Sequence, residues 1–63
     1  MREYEDKPIP FGKYKDILIC DVPNWYLEYI IGEKWFKEKF VDLLILIEKE
    51  LKYRKQFDII IKD

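Results

Sequence analysis

From Glu33 to Arg54 the chain repeats apolar residues at helical spacing, so that Phe36, Phe40, Leu43, Leu44, Ile47 and Leu51 fall on one face at 100° per residue. The spacing predicts one amphipathic helix over 33–54, roughly 33 Å long at 1.5 Å per residue. In a chain of 63 residues that face must be covered by everything else the sequence supplies. Trp35, Leu46 and Tyr53 form a second stripe about a quarter-turn away, and Ile45 points nearly opposite the first. A helix with apolar residues on several sides is covered on several sides, by the C-terminal segment or by a second copy of the chain. A homodimer is therefore among the expected partners, and a domain this small gains most from such help.

The segments before and after the helix set the expected architecture. Residues 1–7 show no apolar period and read as a flexible lead-in, with Tyr4 able to dock on the body; residues 8–63 read as a single domain. Pro8 and Pro10 hold the backbone extended around Ile9. Gly12 marks a turn, Lys15-Asp16 a second one, and Ile17 to Cys20 is apolar and partly β-branched. These signals predict a β-hairpin over about 9–14 and 17–20. Asp21-Val22-Pro23 starts a helix, since proline suits the first turn, and Gly32 stops it, which predicts a helix over 23–31. Its core face carries Tyr26, Leu27, Ile30 and Ile31, with Trp25 and Tyr29 on a neighbouring stripe that is either further core or a stacking surface. Phe57, Ile59 and Ile61 alternate and predict a short C-terminal strand. The expected fold class is α+β: an N-terminal hairpin packed on two helices.

The residue types narrow the chemistry. The sequence has no His, Ser, Thr or Ala, which removes the commonest proton shuttle and the hydroxyl nucleophiles. Its carboxylates alternate with lysines as surface ion pairs do, for example Glu33 with Lys37 and Glu48 with Lys52. A catalytic carboxylate pair is not expected, and neither is a metal or other cofactor. The lone Cys20 has no partner for a disulfide or a zinc site; it reads as a small buried hydrophobe in a reducing, cytoplasmic setting. The acidic, polar start does not resemble a signal peptide, and the longest apolar run, Leu43 to Ile47, is too short to span a bilayer.

A net charge of −1 argues against a general affinity for polyanions, but the charge is unevenly spread. Residues 7–20 carry three Lys against one Asp, and residues 33–55 carry seven bases against five acids. Within the first of these segments, Lys13-Tyr14-Lys15 places two cations around an aromatic ring on a turn. That combination can pair with phosphates and stack on a base. The plainer alternative is that Tyr14 covers the core while both lysines stay solvated.

The order Pro10-Phe11-Gly12-Lys13-Tyr14-Lys15, then an apolar run, then Val22-Pro23-x-x-Tyr26-Leu27 with an aromatic at Tyr29, resembles a small family of domains. Members are attached to the C-terminal side of exodeoxyribonuclease X-like exonucleases, or stand alone in bacteria and phages as proteins labelled quorum-sensing-regulated virulence factors. The resemblance covers about residues 9–31. Where the family usually has Gly after the second Lys, this chain has Asp16, and where it commonly has Trp, this chain has Tyr29. Nothing here matches the nuclease domain, so the resemblance implies an accessory role carried by Phe11, Gly12, Lys13, Tyr14 and Lys15. The expected function is a non-catalytic module that contacts nucleic acid weakly, single strands among them, or docks onto a nuclease or recombination protein, with Trp25 and Trp35 as further contact residues. The alternative is a protein-interaction or inhibitor module of phage type, working through Trp35, Leu46 and Tyr53 or an edge near Ile60.

Overall fold

Pro23, Gly32 and Phe40 divide residues 24–56 into three α-helices in a computed structural model that describes residues 2–62. Met1 and Asp63, the outer ends of the expected lead-in and domain, lie outside the described residues. Helix α1 is Asn24–Ile31, α2 is Lys34–Lys39 and α3 is Val41–Gln56, preceded by a single 3-10 turn, Ile19–Asp21. The first helix forms where the sequence places it. Pro23 caps it with extended backbone, and Gly32 closes it in a right-handed conformation with its N–H on the Tyr29 carbonyl.

The α+β expectation is overturned, because the described residues contain no sheet and no hairpin. The chain around Ile9 does fold back on 15–18, but only two isolated bridges survive, Pro8 with Leu18 and Ile9 with Lys15. Pro8 and Pro10 have no N–H to extend a ladder. Gly12 and Asp16 both take left-handed backbone, φ 74° and 70°, so the chain reverses twice within a few residues. The Ile9 N–H reaches the Ile17 carbonyl at 2.9 Å and the Asp16 N–H the Ile9 carbonyl at 2.8 Å, a knot of local bonds rather than paired strands. Ile19 and Cys20, read as the end of the second strand, instead wind with Asp21 into the 3-10 turn.

Two further expectations are corrected. The single helix over 33–54 is broken at Phe40, whose φ and ψ of −123° and 52° end α2 and start α3. The Phe40 ring stacks on Phe36 at 5.7 Å, and Phe11 packs against both, so a kink that gathers three rings replaces one straight axis. The C-terminal strand does not form. The Ile59 N–H bonds the Arg54 carbonyl at 2.8 Å as the chain leaves α3, and the tail then runs to the start of α1. There the Asn24 N–H donates to the Ile61 carbonyl at 3.0 Å.

The core takes Ile9, Ile19 and Val22 from the loops and Leu27, Ile30, Phe36 and Ile47 from the helices, all essentially inaccessible to water. Each such side chain contributes about 1.5–3 kcal/mol of burial free energy. Tyr4 is buried as well, so the first segment does dock. The buried stripe of α3 is Ile47, Glu50 and Arg54, two of them charged. Glu50 Oε2 accepts from Arg54 Nε at 2.7 Å, and Glu50 Oε1 accepts from Arg2 Nη1 and from the Tyr4 hydroxyl, both at 3.0 Å. Arg54 Nη2 donates to the Ile19 and Cys20 carbonyls at 3.1 and 3.2 Å, and Nη1 to Asn24 Oδ1 at 2.8 Å. Burying two charges is tolerable only when such bonds replace water. Among the described residues no buried side-chain nitrogen or oxygen lacks a partner.

Candidate functional site

The loop from Pro10 to Lys15 lies between two clusters of aromatic rings. Phe11 enters the first, with ring centroids 5.1 Å from Trp35, 5.7 Å from Phe36 and 5.1 Å from Phe40. Tyr14 enters the second, 4.8 Å from Tyr26 and 6.3 Å from Trp25. Gly12 sits between them against the Tyr26 hydroxyl, so close that a β-carbon would stand 2.3 Å from that oxygen. The absence of a side chain and the positive φ are therefore both required here. The Tyr26 oxygen also meets the backbone of Lys13, and its phenol is held above its ordinary pKa by burial first and by neighbouring Tyr29 second.

Beyond Gly12 the basic residues turn outward. The Lys13 ammonium lies over two rings, 5.4 Å from the Tyr14 centroid and 5.6 Å from that of Trp25. Such cation–π contacts contribute about 0.5–1 kcal/mol at exposed sites. Trp25 is 48% exposed and Tyr29 54%, so the stripe left open between core and stacking surface is surface. Lys15 is exposed at the end of the turn. Next to them lies a depression lined by Lys13, Tyr14, Ile17, Asp21, Pro23 and Lys62.

The structure thus brings Lys13, Tyr14 and Trp25 onto one face, while Phe11 and Trp35 belong to the other cluster, with Trp35 half exposed at its edge. Gly12 serves the packing of the loop, through Tyr26. Asp21 and Lys62 were not among the sequence candidates. Asp21 lies next to a proline-started helix, where its charge reads as helix complementarity, and nothing local in the sequence relates Lys62 to Lys13. The expected second stripe is also divided. Trp35 stands on α2, Leu46 lies half-buried on α3, and the ring of Tyr53 is covered by the Arg2 guanidinium at 4.4 Å and by Phe57 at 4.9 Å.

Cys20 is half-buried rather than fully enclosed, with Sγ 4.0 Å from Glu50 Oε1. Burial, then the Glu50 carboxylate, push its thiol above the ordinary value. That setting disfavours a reactive thiolate. Among the described residues no group of three or more metal-ligating side chains converges. No helix among them is long and apolar enough to cross a membrane.

The fold and this surface define a small helical domain with a buried ion cluster and an exposed cation-and-aromatic face. The chain belongs to the family described as "Putative quorum-sensing-regulated virulence factor", which matches residues 1–61. The match takes in Arg2 and Tyr4 at one end and Ile61 at the other, so the buried cluster and the tail contact fall within it together with the basic turn. No curated protein matches the chain, and no solved structure does.

Proposed function

We propose that the domain is a non-catalytic accessory module that contacts single-stranded nucleic acid weakly while serving a nucleic-acid-processing enzyme. The observation that carries the reading is the placement of the Lys13 ammonium over Tyr14 and Trp25, with Trp25 half exposed beside it. A cation beside a half-exposed indole is the combination that single-strand binders set against phosphate and base, and this pairing is tolerant of sequence. Net charge −1 sets the expectation of weak binding, because bulk attraction to phosphate needs an excess of Lys and Arg. The resemblance of residues 10–15 and 22–29 to the module attached to exodeoxyribonuclease X-like exonucleases supports the accessory role.

The test is a fluorescence titration with a single-stranded oligonucleotide at low salt, in a Trp35→Phe variant so that Trp25 is the only indole. Quenching that weakens steeply with added salt and disappears in the Lys13→Glu/Lys15→Glu double variant supports the reading. Equal binding by the parent and the double variant removes it.

A second reading, docking of a protein partner, is favoured by a groove between the proline segment and the α2–α3 junction. Pro8 and Pro10 face Phe40, Val41, Leu43 and Leu46 across it, and Val41 is 53% exposed. Light scattering on the purified chain distinguishes self-association through this groove from a monomer.

A further inference from the structure

The groove between the proline segment and the α2–α3 junction has a fixed floor and a charged rim. The Phe40 ring stacks on Phe36 at 5.7 Å and meets Phe11 at 5.1 Å, so the aromatic floor is set before anything enters. Lys7 stands at one end of the proline wall, with its N–H on the Tyr4 carbonyl at 3.0 Å and its own carbonyl accepting from the Ile19 N–H at 2.9 Å. Lys39, in the last turn of α2, lines the groove from the helical side. Both are exposed, and among the described residues neither ammonium is paired with a carboxylate. The acid of the lining, Asp42, sits in the first turn of α3, where its charge complements the helix end. Val41 is 53% exposed and Ile45, one turn further along α3, 47%, so apolar surface continues out of the groove.

We propose that this groove is the docking site for an amphipathic helix of a second protein, with apolar residues on the face that enters and carboxylates beside it that meet Lys7 and Lys39. The inference rests on the docking reading above and goes beyond it by naming the occupant. A helix fits because the proline wall has no N–H to give: Pro8 and Pro10 lack one, the Ile9 N–H is bonded to the Ile17 carbonyl and that of Lys7 to the Tyr4 carbonyl. An extended peptide would lay its backbone along this wall without partners, whereas a helix satisfies its own backbone and offers side chains. The carboxylates follow from the rim. A second copy of this chain, related by a two-fold axis, would set the Lys7–Lys39 rim against itself, and like charges across an interface oppose association.

The probe is a synthetic peptide of about 15 residues, long enough to form a helix, with leucines at i, i+4, i+7 and i+11 and glutamates on either side of that stripe. Its control carries lysines in place of the glutamates. Each is titrated into the isotope-labelled full chain and followed by amide NMR shifts. The acidic peptide is expected to shift Val41, Leu43, Ile45 and Leu46 and to bind more tightly than the basic one. Lys7→Gln and Lys39→Gln should each weaken it about two- to fivefold, the range of a solvent-exposed ion pair. Lys7→Glu/Lys39→Glu should reverse the preference between the peptides, while Lys52→Gln, exposed on α3 outside the groove, leaves it unchanged. Val41→Glu places an acid in the first turn of α3, where a helix tolerates it, and should abolish binding of the acidic peptide without unfolding the chain. Equal affinity for the two peptides, or shifts confined to other segments, overturns the inference. If neither peptide binds but the chain dimerises in light scattering and Val41→Glu makes it monomeric, the groove takes a second copy: the inference falls and the docking reading stands. A monomeric chain that binds neither peptide sinks both.

Discussion

Two residues with left-handed backbone decide how the basic turn is presented, and they respond oppositely to substitution. At Gly12 an added methyl group meets both the conformational penalty of positive φ, about 1–2 kcal/mol, and the Tyr26 hydroxyl. Gly12→Ala is therefore expected to lower stability by about 2–3 kcal/mol in urea denaturation. In a Tyr26→Phe background the same change should be milder, because the oxygen at 2.3 Å is gone and only the φ penalty remains. Additive losses would show that the hydroxyl does not crowd the position. At Asp16, φ 70° is a conformation that glycine adopts without penalty and aspartate tolerates better than most residues. The resemblance that places glycine there thus has a backbone reason. Asp16→Gly should change stability by less than about 1 kcal/mol, on the favourable side, since relief of φ opposes the greater freedom of an unfolded glycine. A clear loss would mean that the Asp16 carboxylate holds the turn.

At the scale of elements, the tail and α1 depend on one amide side chain. Asn24 Oδ1 accepts from both Arg54 and the Ile61 N–H, so Asn24→Ala should loosen the tail, which keeps only the backbone bond from the residue 24 N–H to the Ile61 carbonyl, and leave the guanidinium one acceptor short. The expected loss is about 1–3 kcal/mol, and amide hydrogen exchange at Ile61 should approach the rate of an unfolded peptide while α1 stays protected. Protection at Ile61 in the variant would contradict the role. How much of this could be read from sequence follows from the range of each interaction. Helix α1 was legible, because Pro23, Gly32 and the spacing of Tyr26, Leu27 and Ile30 are local signals. The break at Phe40 was not, since the apolar period runs through it without proline or glycine, and the ring that packs on it there, Phe11, comes from a distant loop. The hairpin failed where local bonds competed with strand pairing: two prolines, two left-handed residues and a 3-10 turn outweighed a short β-branched run. Glu50 and Arg54 were invisible as core because an i,i+4 pair of opposite charge has the same spacing on the surface as inside. Of the candidate site, the turn residues were legible as residues. Their union with Trp25 was not, nor was the approach of Lys62 to the same depression, because each depends on the packed positions of separate segments.

For the molecule as a whole, the buried carboxylate of Glu50 joins the first segment, the 3-10 turn and α3, so its loss is not a local event. Removing one partner of a buried ion pair costs about 3–5 kcal/mol. A single core in a domain of this size supplies about the same total. Glu50→Ala and Arg54→Ala should each be largely unfolded by circular dichroism at 25 °C, whereas Tyr4→Phe, which leaves Glu50 with both arginines, should fold with a loss of about 1–2 kcal/mol. Folded Glu50→Ala would show that the cluster is dispensable. The same cluster gives stability an alkaline limit. The Tyr4 phenol is pushed well above its ordinary pKa by burial first, then by its hydrogen bond to Glu50 and the carboxylate charge; Tyr26 and Cys20 are shifted the same way, also by burial first. For acids whose folded pKa exceeds the unfolded one, the native state binds more protons, so their contribution is complete below the unfolded value and is lost as pH climbs toward the folded value. Urea midpoints should therefore begin to fall near pH 8.5, where an unfolded cysteine ionises, and fall more steeply above about pH 10, where unfolded tyrosines do. Tyr4→Phe should flatten the upper part of that decline although it starts from a lower plateau. An unchanged slope in the variant would mean that the hydroxyl beside Glu50 is not what resists ionisation.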